Sequence, residues 1–399
     1  MNLSTMKIIG LLTLLSAFPP LSTDMYLPAL PLLQKLWNQP QNVVNLTLSG
    51  FFIGYCLSLL LYGPISDRFG RKPPLIVGVS LYVIASVLSG FVNDITSLIV
   101  LRVLQGIGSS SGVVISMAIT KDLFTGRERQ RILAYMAIIM ALAPMLAPVI
   151  GGQIMTWLSW HWVFFVQALL GLAALGGVLR LQEPLREYAQ GNVLLSMGRM
   201  YLRLLGNKKY VMLVVLFSIV VLPHFSFIGS AANIYIKEFG MSEQVFSYFF
   251  AFNAMAIMAG AFSCSKMQKI LPARSLLTIG FAGILVSGGV MRADIIPGPW
   301  GLALPMAIAS FCFGLTRPTS NHLVLEQVDQ GAGAASSLMV FLFFMMGAIA
   351  MWFIALDWRN TIHVIAMIAL ASGGGGLVLW LLLPGLSRSE EKGVAAQNR

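Results

Sequence analysis

Gly63-Pro64-Ile65-Ser66-Asp67-Arg68-Phe69-Gly70-Arg71-Lys72-Pro73 lies between two long apolar stretches, 43–62 and 74–92. A short connection between two membrane helices needs a tight turn, and Gly63, Gly70 and Pro73 provide one. Three cations, Arg68, Arg71 and Lys72, place the connection on the cytoplasmic side, where basic loops stay. Asp67 stands among them. A carboxylate at the membrane surface can cap the N-terminus of a neighbouring helix or pair with a guanidinium. The plain alternative is a basic hairpin that only fixes topology.

Outward from this stretch the chain stays apolar. Of 399 residues, 57% are hydrophobic and 10% charged, whereas soluble domains carry roughly a quarter charged residues. The apolar residues fall into runs of about 20, the length that crosses a bilayer as a helix. Twelve spans are predicted: 7–30, 43–62, 74–92, 96–118, 131–156, 161–182, 211–236, 244–265, 274–292, 299–321, 332–355 and 361–384. The longest break, 183–210, separates six spans from six. The expected fold is an all-α integral membrane protein of twelve transmembrane helices in two six-helix halves. These are residues 1–182 and 211–386, joined by a central cytoplasmic loop and followed by a polar tail, 387–399.

Charge orients the spans. Twenty of the 26 basic residues fall on the side that holds both termini, and four, Lys35, Lys237, Arg292 and Arg359, on the other. That asymmetry predicts cytoplasmic termini. Trp37, Trp157, Trp160, Trp162, Trp300 and Trp358 all fall at predicted outer ends, where an indole sits at headgroup level. The net charge of +11 follows the loops and builds no basic aromatic groove, so nucleic acid is not an expected partner. Lys7 and the apolar run after it resemble a signal peptide, but no small-x-small site follows and no cleavage is expected. Cys56, Cys264 and Cys312 are isolated in apolar segments and read as packing residues, without a metal cluster or disulfide framework. Ser265-Lys266-Met267-Gln268-Lys269, after the eighth span, echoes the opening stretch in charge but lacks its acid and glycines.

Three charged residues lie deep in predicted spans: Asp24, Arg102 and Arg317. Each costs about 2.5–3.5 kcal/mol at a helix centre on insertion scales, so such residues usually face a bundle interior or a water-filled cavity. Asp24 and Arg102 reach a similar depth in the outer half. They either serve function or form a structural ion pair that fixes packing. Arg317 precedes Pro318 in the tenth span and reads either as structural or as a mark of acidic or zwitterionic cargo. His224, after Pro223 in the seventh span, can titrate near neutrality, although a polar packing role is the commoner one. Asn233 and Tyr235 follow in the same span as candidate substrate contacts.

The opening stretch resembles G-x-L-A-D-R-x-G-R-K, the loop between the second and third helices of the major facilitator superfamily. Leu21-Ser22-Thr23-Asp24-Met25-Tyr26-Leu27-Pro28 resembles the end of the first helix in its drug:proton antiporters. Arg102-Val103-Leu104-Gln105-Gly106 resembles the R-x-x-Q-G of their fourth helix. Ala143-Pro144-Met145-Leu146-Ala147-Pro148-Val149-Ile150-Gly151-Gly152 resembles the antiporter motif G-x-x-x-G-P-x-x-G-G, with Ala143 and Ala147 in place of two glycines and Pro148, Gly151 and Gly152 matching. Together with Trp157-Leu158-Ser159-Trp160-His161-Trp162, these point to the bicyclomycin-resistance (Bcr/CflA) branch, which consists of bacterial inner-membrane proteins. The resemblance implies proton coupling through Asp24 and Arg102. It implies gating by Gly63, Asp67, Arg68, Gly70, Arg71 and Lys72, joined by Asp122 in a charge network that faces the start of the eleventh span, 331–336. Some relatives carry a second acid two turns before the aspartate; Ser16 stands there in this chain.

The reading is a proton-driven exporter of small molecules that works by alternating access. Asp24, Tyr26, Arg102, Gln105, His224, Asn233, Tyr235 and Arg317 are its candidate substrate-binding residues. The expected partners are a small-molecule substrate, protons and the lipid bilayer, with the protein a monomer and no cofactor. No Walker lysine loop or catalytic triad is present in the sequence. Two other readings stay open: a carrier of a specific anionic metabolite held by Arg102 and Arg317, and a non-transporting membrane sensor.

Overall fold

The computed structural model describes residues 3–185, 193–328 and 332–383. The first crossing is broken. It runs through α1 (Leu3–Ser16), α2 (Phe18–Asp24), a 3-10 turn (Leu27–Ala29) and α3 (Leu30–Leu36). It bends by 43° near residue 17. Pro19 and Pro20 sit just past the bend and have no N–H to donate into the preceding turn. The rest of the first half is α4 (Gln41–Phe69), α5 (Lys72–Ser89), α6 (Ile95–Leu123), α7 (Gly126–Trp157) and α8 (His161–Arg180). A further helix, α9 (Val193–Gly206), lies in the segment expected to be a loop.

The second half opens on α10 (Lys208–Ile219), α11 (Leu222–Ala232) and a π-helical turn (Asn233–Glu238), which form one crossing interrupted at Pro223. It continues through α12 (Glu243–Met267), α13 (Ala273–Arg292), α14 (Trp300–Leu325), α15 (Ala332–Ile354) and α16 (Thr361–Leu381). Ten of the described helical runs are long and apolar enough to cross a membrane, and the bent first crossing makes an eleventh. The twelfth is α7, whose 32 residues reach about 48 Å at 1.5 Å per residue. The twelve predicted spans thus map onto twelve crossings in order; α4 runs past its predicted end to Phe69, whereas α5 and α16 stop at Ser89 and Leu381, short of theirs.

The opening stretch is read differently by the structure. It is not a loop, because α4 continues through Gly63 and Pro64 to Phe69. Pro73 lies in the first turn of α5, where a missing N–H costs nothing. The turn is only Gly70 and Arg71. Gly70 has φ +90°, a region that favours glycine, and an added Cβ there would lie 2.7 Å from the Glu183 carboxylate.

Glycines also set the helix spacing, and they repeat between the halves. On α4 and α6, Gly54 and Gly106 each let the partner's main chain approach, at Val103 and Phe51. On α12 and α14, the eighth and tenth crossings, Gly260 and Gly314 do the same at Phe311 and Ile257. The second–fourth pair of one half is therefore rebuilt as the eighth–tenth pair of the other, as expected of an internal repeat.

The apolar core reports the conformation. At the tryptophan-bearing end a single cluster runs through both halves, from Phe51, Phe52 and Phe164 to Phe225, Phe246 and Met351. At the opposite, basic end the halves keep separate clusters. One is built on Leu12, Tyr82 and Ile119, and the other on Tyr210, Phe281 and Val324. The molecule is closed at the tryptophan end.

Candidate functional site

Arg102 is the centre of the first half. Its side chain is 0% exposed. Nη1 donates to the Ser22 carbonyl (3.0 Å) and to Gln105 Oε1, and Nε donates to the Thr47 carbonyl (3.3 Å). The guanidinium carbon lies 4.9 Å from the centroid of Tyr26 and 4.7 Å from that of Phe51. Gln105 passes the network on, donating to Ser86 Oγ (2.7 Å) and to Gln167 Oε1 (2.8 Å). Gln167 returns to the first crossing, donating to the Leu21 carbonyl (3.3 Å). Ser22 Oγ and the Tyr82 hydroxyl meet at 2.8 Å, and the Tyr26 hydroxyl meets Thr47 Oγ1 at 3.1 Å. A buried cation is thereby held by carbonyl dipoles, an amide oxygen and ring faces instead of a carboxylate, with Nη2 left without a partner.

Asp24 stands beside this network without joining it. It is buried, and its Oδ1 accepts a hydrogen bond from the Thr23 hydroxyl (2.8 Å). No ion pair links it to Arg102 among the described residues, which removes the structural pair from the two readings of these charges. The reason is the broken helix. The Ser22 carbonyl occupies Arg102, and Thr23 takes the carboxylate. Met25, the next residue, packs its carbonyl where an added Cβ on Gly151 would fall. Ala147 and Pro148 are buried on the same helix, and Gly152 faces the second half at Glu243 and Ser247. The segment resembling the antiporter motif therefore touches both the Asp24 crossing and the other half.

The halves are stitched together at the tryptophan end. Asn45 Nδ2 donates to the carbonyls of Gly229 (2.7 Å) and Met351 (3.3 Å). Ser49 Oγ donates to the Ala348 carbonyl (3.3 Å), and Lys237 Nζ donates to Gln34 Oε1 (2.8 Å). Phe52 stacks against Phe344, with centroids 5.4 Å apart.

The charged turn at the basic end lies wholly within the first half. Arg71 is 6% exposed and is gripped by Asp67, by Asp122 Oδ2 (2.7 Å) and by Ser66 Oγ (2.8 Å). Burial disfavours its charge, but hydrogen bonds and charges from Asp122 and Asp67 outweigh burial and raise its pKa above the ordinary guanidinium value. Arg68 lies over the Phe69 ring, and Lys72 Nζ donates to the Leu179 carbonyl (2.9 Å). Glu183, just after the sixth crossing, accepts from the N–H groups of Arg71 (2.8 Å) and Lys72 (2.9 Å) and so caps α5. Of the segment this turn is expected to face, 331–336, residue 331 lies outside the described residues.

The second half holds the other candidates. Arg317 lies with its guanidinium carbon 3.6 Å from the Phe343 centroid. His224 stacks on Phe313 at 5.2 Å, and its Nδ1 is buried without a hydrogen-bond partner. Asn233 has an unpartnered Oδ1. Tyr235 is fully buried among Phe239, Phe246 and Phe249. Of the sequence-predicted set, Asp24, Tyr26, Arg102 and Gln105 gather in the first half and His224 and Arg317 meet through the rings of Phe313 and Phe343, while Tyr235 packs among a different set of rings, Phe239, Phe246 and Phe249. Sequence reasoning missed Gln167, Asn45 and Glu183. Gln167 had a usable signal, an amide in an otherwise apolar span. Glu183 was an acid immediately after the sixth predicted span.

A family model described as the Major Facilitator Superfamily matches residues 12–351. The chain is 30% identical over 377 residues to an uncharacterized MFS-type transporter, YdgK, of Bacillus subtilis, covering 93% of this chain and 94% of that one. It is 31% identical over 356 residues to a bicyclomycin resistance protein homolog of Haemophilus influenzae, covering 87% and 88%. It is 27% identical over 362 residues to a chloramphenicol resistance protein of Pseudomonas aeruginosa, covering 87% and 84%. Among solved structures it superposes on a D-xylose-proton symporter with a TM-score of 0.79 at 16% identity, over 96% of this chain and 98% of that one. At that identity the likeness is one of fold.

Proposed function

Because the chain belongs to the major facilitator superfamily, we propose that it is a proton-driven exporter of small molecules across the bacterial inner membrane. The observation that carries this reading is Asp24. It is a buried carboxylate in a broken crossing, held by Thr23 alone, with no cation within salt-bridge distance among the described residues. A proton antiporter needs a group that loads a proton on one side and releases it on the other. A carboxylate with one oxygen free of protein hydrogen bonds can do both as its access to water changes. The packing of Met25 against Gly151 and of Gly152 against Glu243 and Ser247 links the position of Asp24 to the meeting of the two halves. The relatives named for bicyclomycin, chloramphenicol and multidrug resistance support export as the direction and drug-like compounds as the cargo.

The cycle follows from these parts. Residues 1–182 and 211–386 rock against each other about the segment 183–210, both termini and the tail 387–399 lie in the cytoplasm, and the protein works as a monomer. Opening at the tryptophan end separates Asn45 from Gly229 and Met351 and gives outside protons a route to Asp24. Closing returns the molecule to the state described above, and the proton leaves inward as cargo binds. Arg102 holds the Asp24 segment in place through the Ser22 carbonyl, and the Asp67–Arg71–Asp122 cluster keeps the cytoplasmic ends of α4, α5 and α6 together as one moving unit. The test uses proteoliposomes with an imposed pH gradient and ethidium or chloramphenicol as cargo. Asp24→Asn should fold and bind cargo but lose gradient-driven transport. Gradient-driven transport at the wild-type rate would remove Asp24 from the mechanism.

A further inference from the structure

The two intramembrane arginines live in opposite environments. Arg102 has Nε and Nη1 bonded to two carbonyls and an amide and lies against two rings, and only its Nη2 lacks a protein partner. Arg317 makes no hydrogen bond and no ion pair with any described residue; its one protein contact of this kind is the Phe343 ring, 3.6 Å away. A cation–π contact offsets about 0.5–2 kcal/mol, less than the cost of placing a guanidinium in the membrane interior. It also leaves all five N–H donors free.

The surroundings of Arg317 form a platform. Phe343 is nearly parallel to Phe313, with an interplanar angle of 22° and centroids 6.0 Å apart. Phe313 is nearly parallel to His224, with an angle of 14°. Guanidinium, two phenyl rings and an imidazole therefore follow one another across α14, α15 and α11. Phe313, Arg317 and Asn321 sit four residues apart on α14 and so share one face. The last of these presents a buried Oδ1, and His224 a buried Nδ1, each without a protein partner. Pro318 has no N–H for the Gly314 carbonyl, which loosens the helix backbone beside Arg317. A cation with free donors, a row of buried and half-buried aromatic rings beside it and neutral polar atoms at its margins form the complement of an aromatic compound that carries an anionic group.

We infer that the second half binds aromatic carboxylates, with the carboxylate on Arg317 and the ring against Phe343 and Phe313. A fork of guanidinium donors matches a carboxylate in two parallel hydrogen bonds. This assigns an acidic aromatic class to the cargo, and in that respect it rests on the exporter reading.

The test is binding to the purified full chain in lipid nanodiscs, followed by titration of intrinsic tryptophan fluorescence. The probes are 1-naphthoate, 1-naphthamide and 1-naphthylmethylammonium, which share a ring and differ in charge. The wild type should bind naphthoate at least tenfold more tightly than either analogue. Arg317→Gln should erase that preference, Arg317→Lys should keep part of it, and Phe343→Leu should weaken all three probes. A wild type without charge preference overturns the inference, as does an Arg317→Gln variant that retains it. If Arg317→Gln fails to fold, the wild-type comparison and Arg317→Lys decide. Gradient-driven transport of ethidium or chloramphenicol is measured on the same preparations. Active transport without naphthoate preference defeats only this site, whereas naphthoate preference without gradient-driven transport defeats only the exporter reading.

Discussion

Gly151 and Gly152 are neighbours on α7 with different partners, and the difference can be read by experiment. An alanine at 152 would place its Cβ 3.0 Å from the Glu243 carbonyl oxygen and 3.2 Å from Ser247 Cβ, with Ser247 Oγ closer still. Ser247 cannot simply turn away, because its hydroxyl is bonded to the Glu243 carbonyl at 2.7 Å. Overpacking of this kind costs about 1–3 kcal/mol. Both obstacles belong to the second half, so the cost falls on the state closed at the tryptophan end and disappears when the halves part. Gly152→Ala should therefore shift the equilibrium towards opening at that end by about 5- to 150-fold. An alanine at 151 meets the Met25 carbonyl carbon at 2.8 Å and its Cα at 3.0 Å, within one half. It should lower thermal stability by a similar amount and leave the equilibrium between states alone. Spin labels at Lys35→Cys and Arg359→Cys, two exposed positions on opposite halves, report the opening by electron–electron distance measurement in a background without native cysteines. The reasoning fails if Gly152→Ala leaves the distance distribution unchanged, or if Gly151→Ala moves it equally.

Asp24 and Arg102 form no ion pair with each other, so a double-mutant cycle of Asp24→Asn and Arg102→Gln should show coupling in thermal stability below about 0.5 kcal/mol, with Arg102→Gln alone the more destabilising because it removes the buried bonds to Ser22, Thr47 and Gln105. Glu183→Ala removes the bonds to the N–H groups of Arg71 and Lys72; a loss of about 2 kcal/mol is expected, measured as a lower denaturant midpoint in detergent. Of the two acids on Arg71, Asp122 is 17% exposed and Asp67 is 50% exposed. Asp122→Asn should therefore destabilise more than Asp67→Asn, which should stay within about 1 kcal/mol of wild type, while Asp67→Asn lowers the transport rate and makes the basic end more accessible to a membrane-impermeant thiol reagent.

The number and order of the crossings were legible in the chain, because span length and loop charge act locally. A run of about 20 apolar residues must be helical in lipid whatever surrounds it, and cations stay on the cytoplasmic side. Asp24, Arg102 and Arg317 were legible for the same reason, since an ionised group in such a run is costly wherever it points. Partnership was not legible. Whether Arg102 meets Asp24 depends on a break at Pro19 and Pro20 that turns the Ser22 carbonyl towards α6 and leaves the carboxylate to Thr23. The opening stretch shows the same limit: its charges named the topology, but only packing showed that seven of its residues extend α4 and that Glu183, more than a hundred residues later, closes the turn. The closed end was likewise beyond the sequence, because Asn45, Gly152 and Phe52 look like ordinary helix residues until the second half is laid against them. Composition and periodicity determined what must be buried in lipid. The tertiary structure decided which buried polar group answers which, because that choice depends on where two helices separated by scores of residues happen to touch.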